Sequence, residues 1–417
     1  VRIAIVGTGI SGLVAAHHLR RRHDITVFEA ADRIGGHTNT VDVEIADGRF
    51  SVDTGFIVCN ERTYPHFLAL LDELGVATQP SDMSFSVSDE RSGIEYRATN
   101  VNSVFAQRRN LLRPGFQRMV VDILRFNRGL RRDLDAGRLD PDESLADHLA
   151  SGRYSSQFVE RFLVPFGASI WSADPTTFLE FPTATYARFM SNHGLLDLVG
   201  RPTWRTVVGG SSTYVRALTA PFSDRIRTST PVHKLVRDRV AGEVEVVTDA
   251  GAERFDRVVV ATHSDQALRL LGDPSEREQE ILGAIRYQPN VATLHTDARM
   301  LPRNHRARAS WNFHVADGGG ERATLTYWMN LLQSLPTETP LLVTLNRSDE
   351  ISPETVLYET EYDHPVYDAP AIRAQARRDE IQGVDGTYYA GAYWSYGFHE
   401  DGVRSGLDVV RAIEGRV

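Results

Sequence analysis

Arg2-Ile3-Ala4-Ile5-Val6 is a short apolar run that stops at Gly7-Thr8-Gly9-Ile10-Ser11-Gly12 and gives way to Leu13-Val14-Ala15-Ala16-His17-His18-Leu19. That order reads as strand, glycine turn and helix. A second apolar run, Ile25–Phe28, ends on Glu29. Val41–Ile45 and Phe50–Val52 predict two strands joined by a hairpin turn at Asp47-Gly48. Thr63 to Leu74 carries apolar residues at 64, 67, 68, 71 and 74, a helical spacing, and stops at Gly75. Met83–Val87 and Ile94–Arg97 predict strands of a second sheet. From Phe116, apolar residues at 116, 119, 120, 123, 124, 130 and 134 mark one helix face. Residues 144–200 read as further helix, punctuated by Pro165, Pro175 and Pro182, with Phe158, Phe162, Phe166, Trp171 and Phe178 for burial.

In the second half, Gly209-Gly210 opens a helix to Leu218, and Ile226–Thr228, Val232–Arg237, Glu243–Thr248 and Phe255–Ala261 predict a run of strands. Val258–Ala261 is apolar throughout, as a buried parallel strand requires. Val291–His295, Thr324–Asn330 and Leu341–Leu345 predict more sheet, with Trp311, Phe313, Tyr327 and Trp328 as candidate pocket walls. Gly318-Gly319-Gly320 has no strand before it and no helix after it, so it reads as a loop. Thr387–Trp394 predicts a strand, followed by a helix from Gly402 to Ile413.

The opening unit carries chemistry. Gly7 permits a tight turn, Gly9 lets backbone approach a pyrophosphate, and Gly12 allows close helix–strand packing. The amides at the helix head, with Ile10 and Ser11, present N–H groups and positive partial charge to an anion. Glu29, 17 residues past Gly12, closes the second strand, where an acid accepts hydrogen bonds from a ribose. The pattern points to a dinucleotide site, against the alternative of a glycine-rich turn in an unrelated α/β protein.

Directly after the acid come Ala30-Ala31-Asp32-Arg33-Ile34-Gly35-Gly36-His37-Thr38. Here the chain resembles the superfamily of flavin-containing amine oxidases, phytoene desaturases and protoporphyrinogen oxidases, whose hallmark is an acid, then Arg-x-Gly-Gly, then a polar residue and Ser/Thr. The resemblance implies FAD, bound non-covalently, with Arg33, Gly35 and Gly36 at its pyrophosphate and Ala30, His37 and Thr38 in the same contact set. The family often has Arg where this chain has His37. It further implies backbone at Gly55 and Phe56 beside the flavin N5 edge, an adenine contact at Val232, and a closing motif at Gly391-Ala392. In the family that motif usually carries Asp in place of Ala392, and the next helix aims its N-terminus, here Gly402 and Val403, at the flavin. The implied architecture is α/β: a Rossmann-like FAD-binding domain from 1–60, 205–271 and 375–417. Into it is inserted an α+β substrate domain from 61–204 and 272–374, built on an antiparallel sheet.

Composition adds bounds. With 41% hydrophobic and 24% charged residues the chain is of globular type. No apolar run is long enough to span a bilayer, and the glycines after Ile3 favour a buried strand over a signal peptide. The single cysteine, Cys59, excludes an internal disulfide and a thiolate cluster and suits the cytoplasm. It lies far from the closing motif, so a covalent flavin is not expected. A net charge of −9 argues against nonspecific nucleic-acid binding. Within Val104–Leu134, however, residues 104–132 hold eight arginines against one acid, Asp122. Two readings stand: a basic amphipathic surface for anionic lipid at the membrane face, or a solvated face neutralised by the acids from Asp133 to Asp147.

Substrate is less determined. Many relatives that oxidise amines hold water over the flavin with a lysine. The single lysine here, Lys234, falls beside the expected adenine contact, and the corresponding strand offers His295 instead. His295 is therefore the candidate proton carrier and Tyr393 the candidate aromatic wall. The chain most resembles bacterial flavoproteins associated with cyclopropane-type fatty-acid modification, through the segments 53–58, 294–297, 326–330 and 364–365. That resemblance implies desaturation, isomerisation or related C–C redox on a fatty-acyl substrate. Amine oxidation and a non-catalytic flavoprotein that binds lipid or a partner enzyme are the alternatives. With no second GxGxxG, no nicotinamide site is expected, so the flavin would be reoxidised by oxygen, a quinone or another carrier.

Overall fold

The computed structural model describes residues 1–98, 101–197, 200–317 and 322–415, so the expected loop at Gly318-Gly319-Gly320 lies outside the described residues. Five parallel strands form one sheet in the order Ile226–Arg227, Asp24–Phe28, Arg2–Val6, Arg257–Val260 and Thr387–Tyr389. The apolar runs at 3–6 and 258–260 occupy its centre and are buried throughout, because helices and a second sheet cover both faces. An antiparallel sheet of Val232–Asp238, Glu243–Thr248 and Gly251–Phe255 packs beside it.

A seven-stranded sheet gathers Val356–Pro365, Tyr287–His295, Leu342–Leu345, Leu325–Trp328, Trp311–Val315, Phe85–Asp89 and Ile94–Arg97. It is antiparallel except where Trp311–Val315 runs parallel to Phe85–Asp89. The helices between 114 and 192 pack with it around the largest core, in which Phe126, Phe158 and Leu325 are fully buried or nearly so.

Several boundaries differ from expectation for identifiable reasons. The hairpin turns at Ala46-Asp47, and Gly48, at φ 130°, already pairs with Ile45. Phe255–Ala261 is two strands broken at Asp256, whose carboxylate accepts from the Arg2 N–H at 2.6 Å. The final helix runs His399–Glu414, three residues earlier than expected, because Asp401 accepts from the Phe398 N–H at 3.0 Å and starts it there. Gly402 and Val403 therefore lie inside the helix and do not supply its N-terminal end.

The two glycines of this closing helix have a packing role. A Cβ on Gly402 would stand 2.6 Å from Ile10 Cγ2, and one on Gly406 would stand 2.6 Å from the Ser11 carbonyl oxygen. The closing helix thus lies with its backbone against the head of the helix Ile10–Leu19. Gly406→Leu should destabilise the chain by about 1–3 kcal/mol through overpacking, read as a lower urea midpoint with native far-UV circular dichroism retained.

Candidate active site

The glycine turn is built by close backbone contacts. Gly7 takes φ 102°, and a Cβ there would sit 2.7 Å from the Ala261 carbonyl oxygen. A Cβ on Gly12 would overlap the Gly7 carbonyl oxygen, and one on Gly36 (φ 59°) would stand 3.0 Å from Gly9 Cα. Gly9 is the exception: nothing lies within 4 Å of its Cβ position. It caps the helix Ile10–Leu19 without a capping side chain, so the amides at the helix head face open space with no partner from their own helix.

That space is one end of a cavity of about 1110 Å³. Ordinary ligand pockets run to roughly 300–1,000 Å³, so this one has room for a dinucleotide and a second molecule. Around the glycine turn its wall includes Gly7, Gly9, Ile10, Ser11, Glu29, Ala30, Arg33, Gly35, Gly36 and His37. Gly55, Phe56, Val232, Gly391, Ala392 and Tyr393 line it as well. Gly12, Thr38, Gly402 and Val403 do not. Gly12 packs under the turn, and Thr38 is buried with its Oγ1 2.6 Å from Tyr214 Oη.

The polar groups are held for an anionic, sugar-bearing ligand. Glu29 Oε2 accepts from the Thr8 N–H at 2.9 Å and from the Thr8 hydroxyl, and Oε1 from the Ala31 N–H at 2.9 Å, so Oε1 keeps capacity for another donor. Arg33 donates to the Gly36 carbonyl at 2.9 Å and forms no ion pair among the described residues. Its charge therefore stays uncancelled on the cavity wall. The hydroxyls of Tyr367 and Tyr393 and the Trp311 indole N–H, all on the wall, are buried without a hydrogen-bond partner. Buried orphans of this kind are rare unless a ligand or water completes them. The residues present fit FAD: an amide-bearing helix head and Arg33 for a pyrophosphate, Glu29 for a ribose, and unsatisfied donors beyond.

The structure does not bring His295 to this place. It ends the strand Tyr287–His295, whose other end lines the cavity at Tyr287. The cavity also reaches Leu345, which pairs with Ala292, but His295, three residues further along the strand, is not among its lining residues. There it is fully buried, with Nε2 2.7 Å from Thr344 Oγ1 and Nδ1 accepting from the Asp297 N–H at 3.1 Å. Lys234 is exposed and does not line the cavity either.

Other imidazoles do. His37 has ring centroids of His263 and His364 at 5.8 and 5.5 Å, and His263 stacks on Tyr287 at 4.5 Å. His364 and Tyr362 arrive on the strand Val356–Pro365, which sequence reading missed. Its signal was the alternation of Glu359, Glu361 and Asp363 with Tyr358, Thr360 and Tyr362. His399 stacks on Phe56 at 3.7 Å and meets Tyr214 Oη at 2.7 Å. Burial holds these rings neutral: His364 is pushed down to about 4, His399 to about 3, and His37 well below its ordinary value.

Away from the glycine turn the wall becomes apolar and aromatic. Phe166, Ile170 and Trp171 come from the helix Val164–Trp171, and Phe189, His193 and Leu195 from the next helix and its exit. Phe85, Trp311, Tyr327 and Leu345 come from the seven-stranded sheet. Phe313 sits instead in the core beneath, and Trp328 points to the opposite face of its strand. Arg201 adds a charged side chain from the loop after these helices, and Glu361 and Asp363 add carboxylates from the strand Val356–Pro365.

A dinucleotide-shaped cleft between a parallel sheet and an aromatic substrate chamber defines a flavin-dependent oxidoreductase. Residues 10–363 match the family model described as flavin containing amine oxidoreductase. The chain belongs to that family, is an oxidoreductase, and takes FAD. AofH of Mycobacterium tuberculosis, provisionally named a flavin-containing monoamine oxidase, is 27% identical over 284 residues, 66% of this chain. The match spans 59% of AofH's own length. Cyclohexylamine oxidase from Brevibacterium oxydans superposes with a TM-score of 0.71 at 19% identity, over 100% of this chain and 99% of that one. A fatty acid isomerase from P. acnes that produces CLA superposes with a TM-score of 0.70 at 16% identity, over 99% and 98%. The likeness to these structures is one of fold.

Two predictions follow from this geometry. Gly9 has extended backbone (φ −61°, ψ 168°) and a free Cβ direction, so Gly9→Val should leave the unfolding midpoint of the flavin-free chain unchanged while abolishing FAD binding by titration. Gly12→Val, by contrast, should fail to fold. The second concerns pH. His193, His295 and His364 are held near 4 by burial, whereas unfolded they charge below about 6.5. Between those values the unfolded chain binds more protons, so stability falls as pH falls. Asp53, raised by burial to about 6, and Asp401, raised by burial as well, act in the opposite sense but are outnumbered by the buried histidines, which include His37 and His399 too. The urea midpoint of the flavin-free protein should be lower at pH 5 than at pH 7.5; an equal or higher midpoint at pH 5 contradicts the buried neutral histidines.

Proposed function

We propose that this chain uses FAD to carry out C–C redox chemistry, as a desaturase, isomerase or related enzyme, on a hydrophobic fatty-acyl substrate. The observation that supports the reading is the second end of the cavity. Aromatic and aliphatic side chains from a helix pair and a sheet enclose it, and an acyl chain gains about 0.8 kcal/mol per buried CH₂ in such a place. The carboxylates that line the cavity are Glu29, Glu361 and Asp363, and none of them comes from the helix pair or from the strands that carry Phe85, Trp311, Tyr327 and Leu345.

Bound FAD supplies hydride acceptance at N5. In this reading the chain's own residues bind and orient: Arg33 and the helix head hold the anionic arm, while Phe166, Trp171 and Phe189 exclude water from the acyl chain. Tyr393, buried with an unpartnered hydroxyl, walls the chamber. The cofactor-binding and substrate domains of this proposal meet along the cavity.

Amine oxidation is the second reading. It is favoured by the names of the relatives and by Trp171, Trp311 and Tyr327, whose faces can attract a cation. Under anaerobic conditions, long-chain acyl lipids should bleach the flavin absorbance of the holoenzyme, and cyclohexylamine and putrescine should not. Bleaching by the amines alone would overturn the acyl reading.

A further inference from the structure

The helix Pro114–Asp135 buries Phe116, Met119, Asp122, Phe126 and Leu130. Its outward stripe is Gln117, Arg118, Val121, Arg125, Arg128 and Arg132. Just before it, the 3₁₀ turn Arg108–Leu112 holds Leu111 at 46% and Leu112 at 87% exposure. The other large exposed hydrophobic residues among those described are all valines. Two projecting leucines beside an arginine stripe form a surface unlike the rest of the molecule.

The charge there is only partly cancelled. Asp122, the single acid of the segment, is fully buried, with Arg118 at 3.0 Å and Arg125 at 3.3 Å. Arg125 also lies over the Tyr154 ring at 4.3 Å and donates to the Gly152 carbonyl at 2.8 Å. Arg108 donates to the Phe105 carbonyl at 3.1 Å and Arg109 to that of Gly93 at 2.8 Å. Carbonyls fix a guanidinium without neutralising it. Arg113 and Arg128 form no ion pair among the described residues. Acid partners gather at the far end of the helix instead, where Arg132 meets Asp133 at 3.2 Å and Arg131 meets Asp197 at 2.6 Å.

We propose that the turn Arg108–Leu112 and the exposed stripe of the helix Pro114–Asp135 as far as Arg128 dock on an anionic phospholipid bilayer. The leucines enter the interface and the arginines meet headgroup phosphates. A polyanion such as nucleic acid would satisfy the arginines but give the leucines nothing to enter. The placement also suits the cavity. Near the start of the helix a Cβ on Gly115 would overlap Gln157, and the chain after Gln157 runs on into the helix Val164–Trp171, whose Phe166, Ile170 and Trp171 line the cavity. Docking of this face therefore sets the apolar chamber near the bilayer, whatever its substrate.

The test uses the FAD-loaded full chain in co-sedimentation with vesicles of phosphatidylcholine alone and of phosphatidylcholine mixed with phosphatidylglycerol. Binding is expected to the mixed vesicles at low salt and to be lost at high salt. The double variants Leu111→Asp/Leu112→Asp and Arg113→Glu/Arg128→Glu should each weaken it about tenfold or more. Val240→Asp, at a fully exposed valine on another surface, should bind as the parent does. Unchanged unfolding midpoints and flavin content show that the variants are folded, and either double variant suffices. No binding to the mixed vesicles, binding that survives the double variants, or equal loss in Val240→Asp would each overturn the proposal.

Discussion

Everything at the cofactor end depends on backbone meeting backbone at the head of the first helix. Gly12 lies against the Gly7 carbonyl, Gly36 against Gly9, and Gly406 against the Ser11 carbonyl, with distances that leave no room for a side chain. Three elements far apart in sequence are thereby brought within contact of one helix terminus. Only Gly9 among them faces nothing, and that single gap is where a ligand's negative charge can reach the amides. The helix dipole contributes modestly at an exposed terminus and more when partly buried; the contacts made by the surrounding glycines keep this terminus half-buried and fixed.

A second junction ties the hairpin Thr40–Asp53 to its neighbours. Asp53, fully buried, accepts from the Ser211 N–H at 2.9 Å and from Gln333 Nε2 at 3.1 Å. It ties the end of the hairpin to the turn Gly209-Gly210 on one side and to the seven-stranded sheet's following helix on the other. Desolvation raises its pKa, while the hydrogen bonds from Thr40 and Ser211 lower it. Such a hub leaves little freedom between the walls of the cavity, so the apolar chamber and the glycine turn keep a fixed separation.

The parts legible in the sequence were those whose chemistry is local. Gly7 through His37 declare themselves because each glycine answers a nearby steric demand, and the apolar runs at 3–6 and 258–260 admit one environment. Register along a long strand is not local. His295 was the expected proton carrier because its strand corresponds to the one that carries the lysine in amine-oxidising relatives, yet the strand begins at Tyr287 and His295, at its far end, does not line the cavity. The helix boundary at His399 was missed for a related reason: Asp401 looks like a first-turn acid only once Phe398 is known to be the cap. His364 and Tyr362 were hidden in an edge strand whose alternation is tyrosine against acid, where hydropathy gives a weak contrast. The arginine segment was visible as charge, but the exposure of Leu111 and Leu112 and the burial of Asp122 needed the fold.

The histidines facing the cavity share a trait that composition does not reveal: each is kept neutral by burial and none is paired with a carboxylate in a way that would charge it. The unpaired positive charge at the cofactor end thus comes from Arg33 and the helix head, whereas Arg269 on the same wall is paired with Asp265 at 2.6 Å. The direct measurement is an equilibrium titration of flavin-free protein with FAD, followed by flavin fluorescence. Saturable binding of one FAD per chain, weakened severely by Arg33→Ala, is the expected result. Failure of the folded protein to bind FAD, or binding indifferent to Arg33, would contradict the assignment of the cavity.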